Sequence, residues 1–274
     1  LRILVTSQKD IASLTIRDIL VHEHSLVETG EIFEGSPVFS LGESVKMITT
    51  ERDMIYCDHL EQSHRPDAFV FCSRHRSESG QPALLVHSTG NLGNAADFGG
   101  NPRQLSVSAP SLVSAALRRL YDERNARGLV EFDVSLEVTH HGPTTLETPM
   151  VFVELGSDEE HWRHQEGARA VAAAALEACS VPMECEAGIG FGGTHYASKF
   201  NKLVLERGQY IGHMAPKYVL DEITPDIIQQ MITRSAAKTT RAIIDWKGTN
   251  AENKARLFPL LEEAGLDIVR AKDV

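Results

Sequence analysis

Hydrophobic and polar positions alternate between two periods along this chain, and the alternation predicts an order of strands and helices. Arg2 to Thr6 reads as a strand, Asp10 to about Val21 as a helix, and a Gly- and Pro-punctuated loop follows to Pro37. Val45–Thr49 reads as a strand, and Ala68–Cys72 and Ala83–His87 are short apolar runs, the form a strand takes when both of its faces are covered. Residues 88–103 carry Gly90, Gly93, Gly99, Gly100 and Pro102 among Asn and Asp, so they read as loop. Pro110 opens a helix whose apolar stripe is Leu112, Val113, Ala116, Leu117 and Leu120, closed by Gly128. Phe132, Val134, Leu136 and Val138 alternate with Asp133, Ser135, Glu137 and Thr139, the period of a strand with one apolar face and one wet face.

Further on, Met150–Leu155 reads as an apolar strand. Ser157 and Glu160 form an S-x-x-E capping box for a helix through Val171 to Leu176. Met183–Ala187 is a candidate strand feeding a glycine-rich loop. Thr224-Pro225 opens a helix through Met231, Arg241–Trp246 is a strand, Asn250 starts another helix and Asp267–Val269 is a terminal strand. Strands alternating with helices predict an α/β fold, with a mainly parallel or mixed central sheet flanked by helices. No repeat or low-complexity linker divides the chain, so residues 1–274 are expected to form a single domain.

Candidate chemistry gathers at glycine and histidine. Gly188-Ile189-Gly190-Phe191-Gly192-Gly193-Thr194-His195-Tyr196 leaves main chain bare beside a titratable imidazole. Thr139-His140-His141-Gly142-Pro143 and His213-Met214-Ala215-Pro216-Lys217 repeat the pairing of histidine with a chain breaker, and His87-Ser88-Thr89-Gly90-Asn91 closes a predicted strand. Ligands in open α/β sheets collect beyond the carboxyl ends of strands, so these segments are expected to meet in one cleft. His140, His141 and His195 are the favoured catalytic and metal-binding residues, with His87, His213 and Glu147 as further candidate ligands. Adjacent histidines on a strand face opposite ways, so His140 and His141 can share an ion only if the chain bends, which Gly142-Pro143 allows. The metal-free alternative makes one imidazole a general base and gives the oxyanion to the N–H groups of Gly192, Gly193 and Thr194. A hydroxyl nucleophile at Ser88 or Thr89 lacks the G-x-S-x-G elbow.

Together these four segments, in their order along the chain, resemble the archaeal and plant type of D-aminoacyl-tRNA deacylase, and the likeness runs from Arg2 to the C-terminal region. The resemblance implies hydrolysis of the ester joining a D-amino acid to tRNA, as translation quality control. It also implies Zn2+ dependence and a fold akin to the phosphorylase and peptidyl-tRNA hydrolase group. Two rival functions remain: a phosphorylase- or metallopeptidase-like enzyme on a small substrate, and a non-catalytic RNA-binding protein.

The net charge of −11 weighs against an RNA substrate, because phosphate neutralisation supplies much of RNA affinity. Local patches answer the objection. Arg118, Arg119, Arg124 and Arg127 form one, Arg234, Lys238 and Arg241 another, and Lys199, Lys202, Arg207 and Lys217 flank the proposed chemistry. Lys199 and Lys217 are therefore expected to bind tRNA, and Phe191 and Tyr196 to stack on its terminal adenine. His22, Glu23, His24, His161 and His164 read as solvated. Cys57, Cys72, Cys179 and Cys185 lack paired spacing and read as free thiols, with a Cys179–Cys185 bridge as the lesser alternative and Cys72-x-x-His75 as a weak metal signal. No run approaches the ~20 apolar residues of a membrane span, and no secretory n-region precedes the first strand. A cytoplasmic monomer or weak homo-oligomer is expected, with no DNA or membrane partner.

Overall fold

Residues 1–274 are described by a computed structural model, and their apolar runs form the middle of a large mixed sheet. Along the chain come β1 (Arg2–Ser7), α1 (Ile11–Glu23), β2 (Val27–Phe33), β3 (Ser36–Leu41), β4 (Val45–Thr50) and β5 (Ala68–Arg74). Then follow β6 (Ala83–His87), β7 (Gly90–Asn91), β8 (Gln104–Leu105), α2 (Pro110–Ala126), β9 (Asp133–Leu136) and β10 (Met150–Gly156). The large sheet has the order β2-β3-β4-β1-β5-β10-β6-β9. Strands β4, β1, β5 and β10 are mutually parallel, whereas β6 runs against β10 and takes β9 with it. The α/β expectation holds, in its mixed form.

The second half supplies α3 (Glu159–Trp162), α4 (Gln165–Ser180), β11 (Glu186–Phe191), α5 (Ser198–Arg207) and β12 (Ile211–Ala215), then α6 (Pro225–Thr233), β13 (Lys238–Ile244), α7 (Ala251–Glu263) and β14 (Asp267–Arg270). Its four strands make a second, all-parallel sheet in the order β12-β11-β13-β14. Helices α1, α2 and α4 cover one face of the large sheet, and the largest core holds their buried residues together with Phe200 and Leu203 of α5 and Ile211 and Met214 of β12. The alanine run of α4 lets that helix lie close to the sheet, with Ala170, Ala172, Ala174, Ala175 and Ala178 buried. Helices α6 and α7 pack on the small sheet in a separate apolar cluster with Ile244 and Leu257. No helix is long and apolar enough to cross a membrane.

Several boundaries differ from the sequence reading, each for a local reason. The loop expected before Pro37 is an antiparallel hairpin, turned at Glu34 and Gly35 with φ of 44° and 75°. Its first strand is almost wholly exposed, so no buried face marks it in the sequence. The helix expected from the Ser157 box is two helices. Ser157 Oγ donates to the Gln81 carbonyl, Asp158 caps α3, and the His164 ring caps α4 by accepting the Gly167 N–H. Packed against Phe132, edge-on and tilted respectively, His161 and His164 are half-buried rather than solvated. The candidate strand at Met183 begins only at Glu186, so Gly188 and Gly190 lie within β11, and β13 starts three residues before Arg241. All four cysteines are free, and Cys72 lies in the core and joins none of the candidate ligand groups.

Candidate active site

Glu137 and Glu154, two acids the hydrophobic pattern does not single out, organise the site. Glu154 lies within β10 on the same side as Phe152, the side away from α1, α2 and α4. Because β6 runs against β10, His87 at its end pairs with Phe152 and shares that face. Glu137 follows β9, and its N–H donates to the Val86 carbonyl. The periodic pattern places Glu137 on a wet face. Yet the loop after β11 covers it through bonds from Val138 N–H to the His195 carbonyl and from Ala197 N–H to the Leu136 carbonyl. The Glu137 side chain is 0% exposed.

The histidines close around this pair of carboxylates. His141 adopts φ of 45°, which bends the chain where adjacent side chains would otherwise diverge. Gly142 has no room for a Cβ there, since one would lie 2.4 Å from the Gly100 N and the Ile55 O. The His140 and His141 rings come 4.4 Å apart, and they meet His87 at 4.3 and 4.8 Å, the first tilted and the second edge-on. His195 lies 4.7 Å from His140 between ring centres. Its Nε2–H donates to Glu137 at 2.8 Å, and its Nδ1 accepts the Tyr218 hydroxyl at 3.1 Å. His75 faces Glu137 at 3.4 Å and Glu154 at 3.7 Å through Nδ1, with Nε2 against the Tyr196 hydroxyl.

Hydrogen bonds leave a particular set of atoms bare. The Nδ1–H groups of His140 and His141 donate to the Val138 and Gly142 carbonyls at 2.8 and 2.6 Å, and His87 Nδ1 lies 3.3 Å from the Ser88 carbonyl. That fixes the His140 and His141 tautomers with Nε2 as lone pair, the arrangement carbonyl-anchored metal histidines adopt. Ligand atoms of His87, His140 and His141 lie within 4.8 Å of one another, as do those of Glu137, His140 and His195 and those of His75, Glu137 and Glu154. His87 Nε2 and Glu137 Oε2 are buried with no hydrogen-bond partner. Such orphans are costly unless something fills the space between them.

Charge is partitioned within the cluster. Burial pushes His141 down to about 4 with His87 assisting, and the same two causes hold His140 well below the imidazole range. His87 and His75 are buried too, but Glu154 and Glu137 outweigh the desolvation and raise both. Glu154 stays ionised despite burial because the His75 and His87 imidazoles lie 3.7 and 3.6 Å from its carboxylate. Neutral imidazoles beside buried carboxylates suit a cation.

Not every expected residue joins them. His213 is fully buried, with Nδ1 accepting the Thr139 hydroxyl and Nε2–H shared between the Ser106 and Arg234 carbonyls, so neither nitrogen is free to ligate. Glu147 is exposed and pairs with Arg234. Phe191 is 0% exposed in the core of the small sheet and cannot stack on a base, whereas Tyr196 is 40% exposed. The Gly192 and Gly193 N–H groups donate to the Ala215 and Gly248 carbonyls and are not free for an oxyanion. Thr89 Oγ1 donates to the Pro143 carbonyl and Ser88 Oγ has no partner, so no Ser–His pair exists. The cluster sits on a sheet face rather than at the carboxyl rim, because β6 and β9 run against β5 and β10.

His213 carries a stability prediction. Burial lowers its imidazole to about 4, against the carbonyl hydrogen bonds that oppose the shift. An unfolded chain protonates this ring below about pH 6.5 while the native state does not. Its contribution is therefore fully present above about pH 6.5 and lost as pH falls toward 4, at most about 3 kcal/mol. His213→Gln should flatten the fall in melting temperature between pH 7 and 4.5. An unchanged slope would show that His213 is not the group being protonated.

Two cavities open on the cluster. One of about 620 Å³ is lined by Asp10, Arg74, Arg76 and Phe98 and includes His140, His141 and His195. The other, about 340 Å³, reaches the same three histidines from the side of Leu92, Tyr218 and Val219.

The model of the family described as D-aminoacyl-tRNA deacylase matches residues 62–269. A protein named D-aminoacyl-tRNA deacylase from Thermococcus onnurineus is 35% identical, over 98% of this chain and 100% of its own length. Another of that name from Methanocaldococcus jannaschii is 34% identical over 97% of each chain. The crystal structure of AF0625, described as a conserved protein of unknown function, matches with a TM-score of 0.90 at 31% identity, covering 100% of this chain and 96% of that one. Agreement of this extent in sequence and fold places the chain in the D-aminoacyl-tRNA deacylase family.

Proposed function

We propose that this chain hydrolyses the ester of D-aminoacyl-tRNA, releasing the D-amino acid and tRNA, at the cluster of His87, His140, His141, His195 and Glu137. The observation that carries the reading is the bond from His195 to fully buried Glu137, set beside the imidazoles of His87, His140 and His141, whose ligand atoms lie within 4.8 Å of one another. Residues of both sheets meet there, which supports reading residues 1–274 as one domain. A substrate of this class assigns the reaction to translation quality control in the cytoplasm.

Catalytic roles follow from the hydrogen bonds. Glu137 holds the His195 ring by Nε2–H and stabilises its positive form, as a buried carboxylate does for a general-base histidine. His195 Nδ1 then takes the proton of the attacking water once the Tyr218 hydroxyl yields its place. It returns that proton to the ribose oxygen as the ester C–O bond breaks. His87, His140 and His141 are the residues that would hold zinc. Bound there, zinc would supply a water of pKa near ~7 and a Lewis-acid contact for the carbonyl oxygen. His75 and Glu154 hold His87 and Glu137 in position. Tyr196, Lys199 and Lys217 are the substrate-binding residues that remain accessible, alongside Thr194.

Matched D- and L-aminoacyl-tRNA, with and without chelator, test the reading. Release of the D-isomer should exceed that of the L-isomer by at least about 100-fold, the discrimination of roughly 3 kcal/mol that enzyme pockets achieve. His195→Ala should remove it with little change in melting temperature. Equal release from both isomers would defeat the chiral assignment, and tRNA binding without release would favour the RNA-binding alternative.

A further inference from the structure

The small parallel sheet has a crevice of its own. From β11 the chain leaves through residues 192–197 into α5, which packs in the large core with Phe200 and Leu203. From the neighbouring β13 it leaves through residues 245–250 into α7, which packs in the other cluster with Leu257 and Leu261. Two adjacent parallel strands thus send their helices to opposite sides, and the gap between their carboxyl ends is where open α/β sheets bind ligands. It holds a cavity of about 580 Å³.

Its chemistry is basic. Lys199, Lys217 and Lys247 line it, all exposed, and the ion-paired lysines of the chain are Lys46, Lys238 and Lys272 instead. One carboxylate, Asp245, shares the cavity, and its Oδ1 accepts the Gly248 N–H and braces the loop. The other basic clusters are consumed internally. Arg119 and Arg127 pair with Glu123, Arg118 and Arg124 donate to carbonyls, Arg234 pairs with Glu147, and Lys238 pairs with Glu186. In a chain of net charge −11, three unpaired lysines converging on one concavity form a local reversal of charge. Gly192 and Gly193, with φ of 99° and 82°, leave the wall free of side chains. Tyr218 lines this crevice and also the 340 Å³ cavity that contains His195, so the two spaces adjoin.

We propose that this crevice, between the loops 192–197 and 245–250, binds backbone phosphates of the single-stranded 3′ end of tRNA and thereby delivers the terminal ester to His195. The inference rests on the deacylase reading for its substrate, but RNA binding can be measured without turnover. In the triple variant K199A/K217A/K247A, uncharged tRNA should bind at least tenfold more weakly at low salt. The slope of log affinity against log salt should fall by about 2, the value for three phosphate contacts on a single strand. The loss of kcat/KM should be at least about tenfold greater on D-aminoacyl-tRNA than on 3′-O-(D-aminoacyl)adenosine, which has no phosphate. The triple arginine variant should retain tRNA affinity. Unchanged tRNA affinity and salt slope in the alanine variant would overturn the proposal, as would an equal loss on the adenosine ester, which would mark the lysines as structural. If wild-type protein binds tRNA through these lysines yet releases no amino acid, the deacylase reading fails and the phosphate site stands.

Discussion

Glu137→Gln should lower kcat for D-aminoacyl-tRNA by roughly 10²- to 10³-fold while KM moves by less than about threefold, because the lost interaction is made mainly when His195 is charged. The carboxylate is the one acceptor for His195 Nε2–H and lies against His75 and His87 as well. Glutamine keeps the volume and can still accept from His195. Its new N–H2 can meet a bare imidazole nitrogen, so the fold tolerates it better than alanine. What glutamine cannot do is stabilise an imidazolium formed during the reaction. Glu154→Gln is the informative partner. Glu154 contacts His75 and His87 but not His195, so its loss should cost stability by about 1–3 kcal/mol and kcat by less than tenfold. Glu137→Asp, which keeps the charge, should recover at least part of the rate. A Glu137→Gln enzyme with near-normal kcat, or one whose rate falls only as far as its melting temperature does, would remove Glu137 from the machinery.

That Glu137 and Glu154 were not legible in the sequence, whereas His140, His141 and His195 were, has a physical cause. A histidine beside Gly-Pro or after a glycine run stands out by composition, and the bend it needs is local: φ of 45° at His141 and a glycine at 142, where a Cβ would lie 2.4 Å from its neighbours. Burial of Glu137 is non-local. Its strand alternates as though one face met water, and that face is covered by residues almost sixty positions later. Glu154 hides in an apolar strand for the related reason that β6 runs against β10 and brings His87 beside it, an orientation that periodicity does not encode. His213 misled in the opposite direction, since a motif of histidine and proline says nothing about whether both ring nitrogens are already bonded. The alternating strands and helices gave the α/β class directly. The exposed first strand of the hairpin at Val27 did not reveal itself, because an element without a buried face leaves no period to read.

Removing metal should have the other large effect. Dialysis against chelator is expected to lower turnover at least about 100-fold, with zinc restoring it, since a site that holds the attacking water contributes several kcal/mol to the barrier. Readouts other than activity follow from the same geometry. Zinc at 100 times its dissociation constant should stabilise the protein by about 2.7 kcal/mol, several degrees in melting temperature for a chain of this size. His140→Ala with His141→Ala should abolish that rise. Proton release gives the sharper test. Metal binding displaces protons only from ligands that carry them. His141, pushed down to about 4 by burial, and His140, held low by the same cause, are already neutral at pH 7. His87, whose affinity for a proton is raised by Glu154 and Glu137 against its burial, is the single imidazole of the three that has one to give. Calorimetry of zinc binding at pH 7 in buffers of different ionisation enthalpy should therefore find no more than about one proton released per ion from the imidazoles, with up to about half of another from a zinc-bound water. A release of two or three would mean that the imidazoles are protonated in the free protein and that zinc is held by a different set of residues.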